Sequence, residues 1–197
     1  MRPRRPILAE TGRVVLIKHA QPVLDADKPA REWVLSAEGE EQSRRLASLL
    51  RRFVPCRLVT SPEPKAWRTC AIVAAELEIP MTVADGMREI DRPVLPIMAP
   101  PEHRRINARI FSEPYRRVLG GESAREALAR FSGELRKELV PASESNPVAV
   151  THGTVISLFV SQHNSVDPCQ LWKRLECPSF VVLEARSLRL LEVVDAR

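Results

Sequence analysis

Aromatic side chains are scarce in this chain, at 5% of 197 residues, and they sit mostly in apolar contexts. Stacking platforms of the kind that hold single-stranded nucleic acid are therefore not expected. Long apolar runs are missing too. Runs such as residues 14–17 and 155–160, the latter with its serine, fall far short of a bilayer span, so no membrane segment is expected. Only four cysteines occur (Cys56, Cys70, Cys169 and Cys177), and none shares the close pair spacing of a zinc site. They read as reduced, partly buried thiols, and no metal or other cofactor is called for. The start, MRPRRPILAETGR, carries positive charge without the apolar stretch of a secretory leader, which predicts a disordered beginning and a cytoplasmic chain. Neither an internal repeat nor a low-complexity tract divides the sequence, so residues 1–197 are expected to form a single domain.

What is present is ordinary for a globular chain: 44% apolar and 28% charged residues, enough for one substantial core. The net charge of +5 comes mostly from arginine. It suits an anionic substrate and would also suit nucleic acid. No nucleic-acid recognition motif accompanies it, so that partner is not expected.

Along the chain, RVVLIKH is a short β-branched run with a polar end, which predicts a buried strand. Residues 21–35, with two prolines and several charges, read as a loop. Ser36 stands at an N-cap position and opens a helix to about Phe53, with Leu46, Leu49, Leu50 and Phe53 on its buried face. CRLVT predicts a second strand. A helix that tolerates Pro64 in its first turn follows it, and residues 81–84 predict a third short strand. Residues 91–118, rich in proline and arginine, read as a cap or insertion with a helix around residues 103–111. Gly121-Glu122-Ser123 precedes a helix with Ala127, Leu128, Phe131 and Leu135 on one face. PVAVTH predicts a strand, TVISLFVSQH an apolar helix, and PSFVVLEA with SLRLLEVV a hairpin. Its apolar edge would suit a homodimer. Alternating strands and helices predict an α/β fold: a three-layer sandwich with a mostly parallel central sheet flanked by helices.

Two histidines end predicted strands, His19 after VVLIK and His152 after PVAVT. In open α/β sheets, residues just past the carboxyl ends of strands line the binding crevice. Either histidine alone could be an ordinary strand-end residue bonded to backbone. Two in equivalent settings would converge on one crevice if their strands are neighbours.

Six short strings then appear in a fixed order: LIKHAQP, LSAEGEEQSRRLASLL, TSPEPKAWRTCAIVA, MREID, GES and VTHGTVI. Together they resemble the histidine phosphatase superfamily, the phosphoglycerate-mutase-like proteins, over roughly residues 13–165. The resemblance implies a phosphomonoesterase that works through a phosphohistidine. In it His19 would be the nucleophile, Glu89 the proton donor to the leaving oxygen, and His152 a phosphoryl-binding group beside the nucleophile. The chemistry suits these residue types. A neutral imidazole is a competent nucleophile near neutral pH. Phosphoryl transfer asks mainly for in-line positioning and donors around the equatorial oxygens, and a carboxylic acid can protonate the departing alkoxide.

Two arginines that clamp phosphate in the family are lysines here, Lys18 and Lys65. A guanidinium grips two oxygens with a rigid fork, whereas an ammonium is a flexible point charge. Arg68, three residues after Lys65 on the same helix, is one candidate to compensate. Gln21, Arg68 and Trp33 are the candidate substrate rim, with Trp33 equally suited to a core position, and His103 with the cap arginines could meet a polyanionic substrate. The expected substrate is a phosphorylated small molecule or phosphopeptide. Two alternatives stand beside hydrolysis: a mutase-type phosphotransferase, and a weakened relative that binds an anion or a partner protein.

Overall fold

The computed structural model describes residues 12–92, 97–139 and 145–197. The expectation of a disordered start falls, up to residue 11, outside the described residues. Six strands form one sheet: β1 (Arg13–Lys18), β2 (Cys56–Thr60), β3 (Met81–Val83), β4 (Asn146–Thr151), β5 (Ser179–Glu184) and β6 (Leu190–Asp195). Their spatial order is β3-β2-β4-β1-β5-β6. The first four are mutually parallel, β5 runs antiparallel to β1, and β6 closes the sheet as an antiparallel hairpin partner of β5. The sheet is thus mostly parallel, as the strand–helix alternation predicts.

Apolar residues occupy consecutive positions in the central strands because both faces are covered. In β1, Val14 and Leu16 point into one core while Val15 and Ile17 point into the other, all four fully buried. The first core lies under α4 (Ala124–Leu139), α5 (Gly153–His163) and α6 (Pro168–Arg174), with Phe131 edge-on to Phe159 at 5.7 Å. The second lies under α1 (Ala37–Leu50) and α2 (Pro64–Leu77), where Phe53 meets Phe180 at 6.2 Å. Helix–sheet–helix layering follows. Burying each such side chain stabilises the fold by about 1.5–3 kcal/mol before entropy is counted.

Ser36 caps α1 by accepting the Gly39 N–H at 3.0 Å. The helix stops at Leu50 and a single 3-10 turn carries the chain to Phe53. Leu49, expected on the buried face, is 43% exposed, because the inward stripe runs through Leu46, Ala47 and Leu50. Gly39 has a positional reason: a Cβ there would lie 2.3 Å from the Gln21 carbonyl oxygen, so α1 packs directly on the returning loop. In the cap, the helix is α3 (Pro100–Ser112), which begins three residues before the predicted span with prolines in its first turn. It packs against α6, an element that the sequence reading left out. Helix α5 is buried from Gly153 to Val160, as its lack of a polar face requires. No helix of the described residues is long and apolar enough to cross a membrane.

Candidate active site

Strand register brings the two histidines together. Lys18 of β1 pairs with Thr151 of β4, so the next residues, His19 and His152, leave neighbouring parallel strands side by side. Beyond the adjacent end of β2, the Ser61 N–H donates to Val150 O at 3.0 Å, which brings residues 61–63 to the same edge. These strand ends open into a cleft of about 560 Å³ that holds Lys18, His19, Glu63, Lys65, Glu89 and His152. The volume is that of a small-molecule site.

His19 is 7% exposed and its ring meets that of His152 edge-on at 5.2 Å. Its Nδ1 lies 2.8 Å from the Ala20 carbonyl oxygen. A carbonyl only accepts, so Nδ1 carries the proton and Nε2 keeps its lone pair. Burial is the largest influence holding the His19 pKa well below its ordinary value; the neighbouring His152 and the Lys65 ammonium push the same way. The imidazole is therefore neutral at physiological pH. A second local bond, from the Ala20 N–H to Thr69 Oγ1 at 3.1 Å, ties this turn to α2.

His152 is 1% exposed. Its Nε2 is 2.8 Å from Ser61 Oγ and 3.5 Å from Glu63 Oε1, while its Nδ1 is buried with no hydrogen-bond partner. Burial again leads in lowering its pKa well below the ordinary value, followed by Lys65. A neutral imidazole with an unused buried nitrogen in a cleft is poised for a ligand.

Glu89 follows a 3-10 turn at Asp85–Met87 and its carboxylate sits over the start of α5. It accepts the N–H groups of Ile90 (2.9 Å), Thr154 (3.0 Å) and Val155 (3.3 Å). A negative charge at a helix N-terminus is electrostatically favoured. Arg130, reaching from α4, holds this loop from behind through the carbonyls of Gly86, Arg88 and Glu89 and through Glu122.

The two lysines do different things. Lys18 donates to the Leu175 carbonyl at 2.6 Å. Lys65, 5% exposed, donates to Glu63 Oε2 at 2.5 Å and to Ala30 O at 2.7 Å. Arg68 does not reach the cleft; it is exposed and pairs with Glu40 at 2.7 Å, because its place on α2 faces α1 and solvent. Gln21 also lies outside the cleft lining: its backbone is bonded to Gln42 and Ser36 and its side chain is exposed. Trp33 does line the wall, half-buried, with its indole N–H donating to Asp25 O at 2.8 Å. It is neither a core plug nor a free surface ring. His103 also lines the cleft, its ring 5.3 Å from that of Trp172.

Glu63, Arg92 and Trp172 line the cleft and were not singled out by the sequence reading, nor was the buried Ser61 that bonds His152. Ser61 and Glu63 sit inside TSPEPK, where the family resemblance drew attention only to the lysine. Arg92 was read only as one of the cap arginines. Its Nη2 donates to Asn107 Oδ1 (3.1 Å) and Thr154 Oγ1 (3.0 Å), and its Nε is buried without a partner. Arg31 and Arg88 on the same rim pair with carboxylates, whereas Arg92 has none within 4.0 Å among the described residues. Its charge is offset only at longer range, by the Glu89 and Glu63 carboxylates.

The pattern that defines the histidine phosphatase superfamily (branch 1) matches residues 14–189. A probable phosphoglycerate mutase of Salmonella paratyphi A is 26% identical over 163 residues, covering 76% of this chain and 73% of that protein. Among solved structures, a mycobacterial glucosyl-3-phosphoglycerate phosphatase superposes with a TM-score of 0.71 at 18% identity, covering 94% of this chain and 99% of the other. A phosphoserine phosphatase of Entamoeba histolytica matches with the same TM-score at 17% identity, over 94% and 98% of the two chains.

Proposed function

We propose a reaction for a chain that belongs to the histidine phosphatase superfamily (branch 1): hydrolysis of a phosphate monoester through a phosphohistidine at His19. The observation that carries this reading is the fixed tautomer of His19, with Nδ1–H on the Ala20 carbonyl and Nε2 unprotonated beside His152. Nε2 attacks phosphorus, the bond from phosphorus to the ester oxygen breaks, and Glu89, having taken up a proton as the negatively charged substrate arrives beside it, gives that proton to the departing oxygen. Water then attacks the phosphohistidine, returns a proton to Glu89 and releases inorganic phosphate. His152 binds the phosphoryl group, and Lys18, Lys65 and Arg92 supply positive charge around it. The cleft volume suits a phosphorylated small molecule or a phosphorylated side chain of a peptide.

Lys65 already bonded to Glu63 favours a second reading, a slow relative that mainly binds an anion. Phosphatase assays on a panel of phosphomonoesters, with wild type, His19→Ala and the Lys18→Arg/Lys65→Arg double variant, separate the two. Loss of the nucleophile should lower kcat by at least ~10³-fold and abolish acid-labile phosphoenzyme. Wild-type turnover in His19→Ala would sink the assignment. A silent wild type rescued by the arginines would favour the slow relative.

A further inference from the structure

Glu63 lines the cleft between two prolines, in Pro62-Glu63-Pro64. Proline locks its own φ and restricts the residue before it, so the carboxylate can change place only by rotating its side chain. It is 8% exposed. Oε2 takes the Lys65 ammonium at 2.5 Å. Oε1 accepts the Glu89 N–H at 2.8 Å and stands 3.5 Å from His152 Nε2. An ammonium, a backbone N–H and an imidazole nitrogen are the kinds of donor that a phosphoryl group needs.

Resting on the phosphatase reading above, we propose that Glu63 is a resident competitor for the phosphoryl group. Its carboxylate occupies donors that substrate phosphate must take over, and so sets the affinity of the site. A phosphate placed between His19 and His152 brings its negative charge next to that of Glu63, in a cleft that screens poorly. Phosphate alone is then held weakly, and selection falls on whatever else the substrate offers to Trp33, Arg92 and His103. The released inorganic phosphate leaves readily for the same reason. Lys65 is kept from direct contact with phosphate while Glu63 holds it, and is released to make that contact once Glu63 is removed.

Calorimetric titration of inorganic phosphate and of orthovanadate tests this on wild type, Glu63→Gln, Glu63→Leu, Lys65→Met and Glu63→Gln/Lys65→Met, each checked for folding by its melting curve. Glutamine keeps the size and an acceptor for the Glu89 N–H; leucine removes the polar end altogether. Both Glu63 variants should bind about tenfold tighter or better. Lys65→Met leaves the Glu63 charge uncompensated and should weaken wild-type affinity further, and it should erase most of the gain in the Glu63→Gln background. Equal or weaker binding by folded Glu63 variants overturns the proposal and leaves the phosphatase reading standing. If no protein in the series binds either anion and none forms phosphoenzyme, the phosphatase reading falls as well.

Discussion

Replacing Arg130 by methionine should damage fold and catalysis together, because one guanidinium carries the loop that ends in Glu89. Its N–H groups reach the carbonyls of Gly86 (2.9 Å), Arg88 (3.0 Å) and Glu89 (3.1 Å) and both oxygens of Glu122, at 2.9 and 2.7 Å. Arg130 and Glu122 side chains are only 14% and 13% exposed, so water cannot fully replace the lost donors. Methionine keeps the apolar stem but leaves a mostly buried carboxylate with only the Asp91 N–H and the Arg88 guanidinium at 3.9 Å, a change that costs about 3–5 kcal/mol. At roughly 2–4 °C per kcal/mol for a domain of this size, the melting temperature should fall by about 6–20 °C. Lysine restores charge without the fork and should recover only part of the loss. Urea denaturation and scanning calorimetry give the stability, and kcat on a phosphomonoester gives the consequence for Glu89. A methionine variant within about 1 kcal/mol of wild type would refute the reasoning. So would complete rescue by lysine, since a bare charge would then suffice.

The histidines predict how stability depends on pH. Burial, more than neighbouring charge, holds His19 and His152 well below their ordinary value of 6.5 in the folded protein. The unfolded chain takes up protons there as pH falls, and the folded chain does not. Stability should therefore be full above about pH 6.5 and drop below it, by up to about 1.4 kcal/mol per pH unit for each histidine. Urea midpoints on either side of that pH measure the slope, and His19→Gln/His152→Gln should flatten it; an unchanged slope would remove these residues from the account. Gly39→Ala places a methyl group 2.3 Å from the Gln21 carbonyl and should cost about 1–3 kcal/mol while displacing the loop that carries Trp33. An unchanged melting curve would show that α1 and the loop have room to part.

The central strands were legible because burial on both faces leaves them no polar position: VVLI and VAV read as strands without help from tertiary context. The two histidines were legible because a strand end is a local feature. The partners of Lys65 were not. Glu63 looks like one more charge in SPEPK until folding buries it against an ammonium and a backbone N–H. Arg92 was hidden for a related reason, since its acceptors, Asn107 and Thr154, lie 15 and 62 residues away along the chain. Leu49 erred in the opposite direction, because a helical stripe fixes its inward residues only once the packing partner is known. Helix α6 is one short element of seven residues, too brief to show a period, although it brings Trp172 to the cleft.

The two histidines sit at the ends of β1 and β4, the pair at the middle of the sheet, with α5 buried behind them. Elements placed so deep open only when the whole domain unfolds, whereas a rim of loops can open on its own at far smaller cost. Amides of the cleft floor should then exchange with solvent at the global rate, and those of the 21–35 loop much sooner. Chemistry and specificity thus draw on different reservoirs of stability. A lineage can remodel what the cleft admits by changing its walls, while any drift in the floor is felt as loss of the fold itself.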